Sequence, residues 1–133
     1  MAPRILVCCV LGLALASCGE NERGAASSDG EPVAQMVVSV DPDGRGPEPA
    51  KETRLSCTTP RESTACAEAS ALEPSDVEPV DPATACTELF GGPETARLHG
   101  RVRGRAVDAR FSRNNGCEIA RWDNVAALLK AAG

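Results

Sequence analysis

The sequence predicts an α+β domain, and three observations predict it. Two short runs in the first half, Val33 to Val40 and Lys51 to Cys57, have strand character. A third stretch, Ala96 to Phe111, alternates apolar and charged residues about a Gly-Arg pair and reads as a hairpin. Between them Ser63 to Leu72 is rich in alanine behind a capping hydroxyl, and so reads as a helix.

Ahead of these elements lie segments outside the domain. Arg4 precedes an apolar run from Ile5 to Leu15, shorter than the roughly 20 residues of a permanent membrane helix, so residues 1–17 read as an export signal. The run ends Leu15-Ala16-Ser17-Cys18, which resembles a bacterial lipobox with Cys18 as the lipidated first residue of the mature chain. Cleavage after Ala16 and free secretion is the alternative. Cysteine arithmetic favours lipidation: Cys8 and Cys9 leave with the signal, and using up Cys18 leaves four cysteines, an even number for an oxidising compartment. The protein is thus expected outside the cytoplasm, held on the membrane by its lipid. Residues 18–32, small and polar, form a tether, and residues 33–133 form the domain.

Within the domain, Val33 to Val40 carries the β-branched content of a first strand, and Asp41 to Pro49 is turn chemistry throughout. Lys51 to Cys57 sets Glu52, Arg54 and Ser56 against Thr53, Leu55 and Cys57, a strand with one buried face. After the Ser63 helix, three prolines between residues 73 and 83 make an acidic linking loop into Cys86. The hairpin is read with Gly104-Arg105 as a type II′ turn. That register places Val102 opposite Val107, Gly100 opposite Ala109 and Leu98 opposite Phe111, with Arg101 opposite Asp108 and His99 opposite Arg110 on the other face. Arg113 to Gly116 is a turn before Cys117 to Trp122, and Asp123 caps a short tail helix.

Composition excludes several function classes. The mature chain has 19 acidic against 13 basic residues, net −6, and the imbalance is uneven: net −10 from Gly19 to Pro93, net +4 from Glu94 to Gly133. An acidic, exported chain almost without aromatics does not fit nucleic acid, so Arg97, Arg101, Arg103, Arg105, Arg110 and Arg113 read as a solvated sheet face. Cysteine spacings of 9, 20 and 31 with a single histidine fit no metal site, and no cofactor motif is present. His99 stands among arginines, far from any nucleophile motif, so the chain is not expected to be an enzyme.

The segment Cys86-Thr87-Glu88-Leu89-Phe90-Gly91-Gly92-Pro93 carries the functional signal. It begins at a cysteine, holds two large apolar residues and closes on Gly-Gly-Pro, which shapes backbone and removes a donor. A loop held in this way is suited to being gripped by a partner. Four cysteines admit three pairings from sequence alone.

Leu55-Ser56-Cys57, Ala65-Cys66-Ala67, Cys86 with Gly92-Pro93, Gly104-Arg105 with Val107, Phe111-Ser112 and Cys117-Glu118 together resemble the Streptomyces subtilisin inhibitor-like family. The resemblance runs from about Val33 to Trp122. It implies an antiparallel sheet of about five strands with two helices on one side, and sequential disulfides Cys57–Cys66 and Cys86–Cys117. It also implies inhibition of subtilisin-like serine endopeptidases and a homodimer built through the outer sheet face. Carried over by position, Glu88 is the specificity residue and Glu88–Leu89 the reactive bond, flanked by Cys86, Thr87 and Phe90. The family's usual residue there is apolar or basic and proline commonly precedes it, where this chain has Glu88 and Thr87. A carboxylate is costly to bury without a partner, so a glutamate-selective serine protease joins the expected targets. The alternative is a non-inhibitory, lipid-anchored surface module with the same fold.

Overall fold

In the computed structural model, residues 30–46 and 50–133 are described. The export signal, Cys18 and most of the tether lie outside the described residues.

Four antiparallel strands form one sheet in the order β2-β1-β3-β4, with β1 at Ala34–Asp41, β2 at Lys51–Cys57, β3 at Thr95–Val102 and β4 at Arg105–Phe111. Among the described residues four helices accompany it: α1 at Thr64–Ala71, α2 at Pro74–Val77, α3 at Gly116–Asn124 and α4 at Ala126–Lys130. The α+β class is as expected, with four strands among the described residues rather than about five, and four helices rather than two. Pro74, Pro79, Pro82 and Pro93 explain part of the difference, because each lacks the N–H a further ladder would need between α1 and β3. That stretch becomes a one-turn helix and an irregular loop instead.

The alternation in each strand sorts the sheet into two faces. Ala34, Met36, Val38, Leu98, Val102, Val107, Ala109 and Phe111 point into the core, where they meet Ala65, Ala69 and Leu72 from α1 and Val125, Leu128 and Leu129 from the C-terminal segment. The other face is polar and carries Arg54, Arg97, His99, Asp108 and Arg110 across neighbouring strands. Both disulfides take the sequential pairing, Cys57–Cys66 and Cys86–Cys117. The first is buried and ties the end of β2 to α1.

The hairpin register differs from expectation by two residues. Its turn is Arg103-Gly104, with φ 48° and 74°, so it is type I′ and not type II′. Leu98 therefore pairs with Ala109, His99 with Asp108, Gly100 with Val107 and Val102 with Arg105. A shift of two keeps every side chain on its face, which is why the apolar sorting survives while every partner changes. Tertiary contacts supply what local pairing does not. The Arg103 N–H donates to Val33 O at 2.8 Å, and the Arg103 and Arg105 guanidiniums donate to Ser70 O and Leu72 O at the end of α1. These two arginines cap helix carbonyls and do not belong to the solvated face. Asp108 is instead held by Arg97, through paired bonds of 2.8 and 2.7 Å.

Helix caps follow the same division. Ser63 accepts from Cys66 N at 3.0 Å, as its sequence position suggests. Residues 116–124 are helical, capped by the Asn115 side chain on Glu118 N at 2.9 Å, where the sequence reading placed a turn at Arg113 to Gly116 and assigned no element to Cys117 to Trp122. Asp123 lies inside that helix and caps nothing. The amides opening α4 go to Glu68 of α1, with Ala127 N at 2.6 Å and Leu128 N at 3.3 Å.

Candidate functional site

The loop from Cys86 to Pro93 contains no helix or strand and is secured from outside itself. Upstream, Cys86 is bonded to Cys117 in the first turn of α3, and Thr87 O accepts from Gly116 N at 3.0 Å. Downstream, Gly91 N donates to Arg113 O at 2.7 Å. All three attachments land within residues 113–117, so one short segment serves as a jig for both arms of the loop. That segment is rigid for local reasons. Phe111 anchors it in the core, Asn115 caps α3, and Ser112 Oγ bonds Asn114 Oδ1 at 3.0 Å.

Between the two backbone bonds stand Glu88, Leu89 and Phe90. Among the described residues they make no hydrogen bond, and all three are exposed. Leu89 is 60% and Phe90 70% accessible, the large apolar side chains that the described surface leaves uncovered. Leaving two adjacent large apolar groups in water forgoes the stabilisation that burying them would bring, and such a pair is the kind of surface a partner covers.

The downstream arm is supported by more than one contact. Gly91 lies against α3 so closely that a Cβ there would come within 2.9 Å of Ile119 Cδ1 and 3.3 Å of Arg113 Cβ. Glu94 Oε1 meets Arg113 Nη1 at 3.4 Å, and the Arg113 guanidinium lies 5.8 Å from the Trp122 ring centre. Pro93 rests on Gly44 of the β1–β2 turn, where a side chain would collide with the Pro93 carbonyl.

All five loop residues singled out from sequence, Cys86, Thr87, Glu88, Leu89 and Phe90, thus lie together on one projecting segment. The pairing partner Cys117 stands beneath them, and Cys57–Cys66 lies apart at the β2–α1 junction. Sequence reasoning missed the scaffold residues: Arg113, Gly116, Glu94, Ile119 and Gly44. Gly116 directly before Cys117 was an available signal; nothing in the pattern marked Arg113, which resembled the other arginines. His99 lies on the polar sheet face with Nδ1 3.7 Å from Asp108 Oδ2. Among the described residues no cluster of three or more His, Cys, Asp or Glu side chains could hold a metal ion, and no helix is long and apolar enough to cross a membrane.

The chain matches no family model, no curated protein and no solved structure.

Proposed function

We propose that this chain is an exported inhibitor of serine endopeptidases, offering Glu88–Leu89 as a substrate-like reactive bond. The observation that carries the reading is the state of Glu88-Leu89-Phe90, which is clamped at both ends with its own backbone groups and side chains left open. A protease reads its substrate as an extended strand, through main-chain pairing and side-chain pockets. A segment already held in place with free amides and carbonyls meets that requirement with little ordering cost. Because both arms are anchored on residues 113–117, a cut between Glu88 and Leu89 leaves the new ends side by side, and the bond re-forms faster than its halves separate.

Glu88 sets the target. An apolar specificity pocket would strand its carboxylate without a partner, so the fitting enzyme is a glutamate-selective serine protease with basic groups in that pocket. Leu89 and Phe90 supply apolar contact on the leaving-group side. In this proposal Cys18 carries a lipid that keeps the inhibitor at the outer membrane surface, and an acylated N-terminus by mass spectrometry is the expected result.

Titration of the chain from Gly19 onward tests the inhibitor reading. A glutamate-selective serine protease should be inhibited stoichiometrically and subtilisin should not; Glu88→Met should reverse that order. If neither the parent nor Glu88→Met inhibits either enzyme, the loop is no inhibitor. The exposed Leu89-Phe90 pair would then belong to a non-inhibitory binding module.

A further inference from the structure

We infer that Arg113 is the positioning residue that holds the downstream half of the Glu88–Leu89 bond once it is cut, and so decides whether inhibition lasts. The inference rests on the inhibitor reading and adds a residue to it.

The two halves of the loop are not equally secured. Upstream of the bond, Cys86 is covalently tied and Thr87 O is hydrogen-bonded to Gly116 N. Downstream, Leu89 and Phe90 have no bond of their own among the described residues, and Pro93 has no N–H to give. The next fixed points are the Gly91 N–H, on Arg113 O at 2.7 Å, and the Glu94 carboxylate, on Arg113 Nη1 at 3.4 Å. One residue therefore grips the downstream arm twice, by its carbonyl at Gly91 and by its guanidinium at Glu94, just before β3 begins at Thr95. The Arg113 side chain is itself constrained. It is about two-thirds covered, with 30% of its surface accessible, and its guanidinium lies beside Trp122. Arg113 Nε and Glu94 Oε2 are both buried without a hydrogen-bond partner among the described residues. A pair with one contact made, and a donor and an acceptor unused, can close to a two-bond fork when the arm shifts.

The chemistry makes this grip consequential. The enzyme's serine Oγ attacks the Glu88 carbonyl carbon, the Glu88–Leu89 C–N bond breaks, and the serine proton passes through the enzyme's base to the Leu89 nitrogen, which leaves as an amine. Resynthesis runs backwards: the amine attacks the acyl ester, the peptide bond re-forms and the serine recovers its proton. Water competes for the same ester and releases nicked protein. Which path wins depends on how much time the Leu89 amine spends in reach of the ester, and hence on what holds Gly91 and Glu94.

The test compares the parent with Arg113→Ala, Arg113→Lys and Glu94→Gln, each as the chain from Gly19 onward. Two readouts are taken: durability of inhibition of a glutamate-selective serine protease, and hydrogen exchange of the Gly91 amide in the uncut protein. Arg113→Ala should let protease activity return about tenfold sooner or more, with mass spectrometry finding the Glu88–Leu89 nick. Every variant keeps the Arg113 main-chain carbonyl that takes the Gly91 N–H, so Gly91 exchange reads how far the Arg113–Glu94 side-chain contact steadies the arm: it should quicken by about tenfold in Arg113→Ala, with Arg113→Lys in between and Glu94→Gln following Arg113→Ala in direction. Glu94→Gln keeps the volume of the side chain, so it decides the matter if Arg113→Ala fails to fold. Durability and exchange both equal to the parent's would overturn the inference. If the parent inhibits nothing, the inhibitor reading falls on its own, and Gly91 exchange still decides whether Arg113 is the clamp: faster exchange upholds it and unchanged exchange defeats it.

Discussion

Two loops of this domain touch each other and are held in opposite ways. The turn after β1 is held from inside: the Asp41 carboxylate takes the amides of Asp43, Gly44 and Gly46 at 3.1, 3.0 and 2.7 Å. The Cys86–Pro93 loop is held from outside, by a disulfide and by bonds to residues 113–116, and keeps the groups of Glu88, Leu89 and Phe90 unspent. A loop that satisfies its own amides is locally stable and has little left for a partner to read. One braced by its neighbours can be just as rigid and still present free backbone. Their meeting point is Gly44 against Pro93, so the self-contained turn forms part of the bracing of the open loop.

The largest expected effect comes from cutting the external brace. Replacing Cys86 and Cys117 together with serine opens a 31-residue closure and should lower unfolding free energy by about 3–4 kcal/mol. In the same variant the loop should be cleaved by a glutamate-selective protease as an ordinary substrate. Chemical denaturation and digestion followed by mass spectrometry check both; a loop that stays resistant without its disulfide would mean the hydrogen bonds to Arg113 and Gly116 suffice.

Next comes the contact between the loops. Gly44 has φ 66° and no room beside the Pro93 carbonyl, so Gly44→Ala should cost about 1–2 kcal/mol and loosen the downstream arm along with its own turn. Faster amide exchange at Gly91 would show that the two loops are mechanically joined. A stability loss without it would make them independent.

The smallest expected effect is the pH response of the self-contained turn. Gly46 N–H above all, then the neighbouring amides, hold the Asp41 carboxyl below the ordinary aspartate value against the opposing pull of burial. The folded state thus binds that proton more weakly than the unfolded chain. Its stabilisation is present above the ordinary aspartate range and is lost as pH falls through the lowered folded value. Asp108, lowered by Arg97, follows the same sign, but its pair is exposed and contributes little. Glu68, raised by burial, runs the other way and loses stabilisation as pH rises through its titration. Acid titration of thermal stability should therefore be shallower in Asp41→Asn than in the parent at the low end.

Much of the molecule was legible from local pattern. Alternation in β3 and β4 marked which side chains are buried, since a strand's period of two is written directly into its residues. Ser63 announced α1 because its cap lies within one turn of its own position. The hairpin register was not legible. Gly-Arg and Arg-Gly each make an acceptable turn, and the choice fell to the Arg103 contacts with Val33 and Ser70, far away in sequence. The cap of α4 was equally hidden, because Glu68 reaches it from another helix.

For the candidate site the division is similar. By itself the sequence determined the span of the loop, its cysteine at one end and Gly-Gly-Pro at the other, and the unusual acid at Glu88, because these are properties of neighbouring residues. Tertiary structure alone decided that both arms rest on residues 113–117, that Arg113 serves the downstream arm, and that Gly44 supports Pro93. The physical reason is range. Backbone angles and side-chain periodicity act within a few residues, whereas a brace is a contact between segments about 20 to 50 positions apart, formed only once the sheet has set the distance between them.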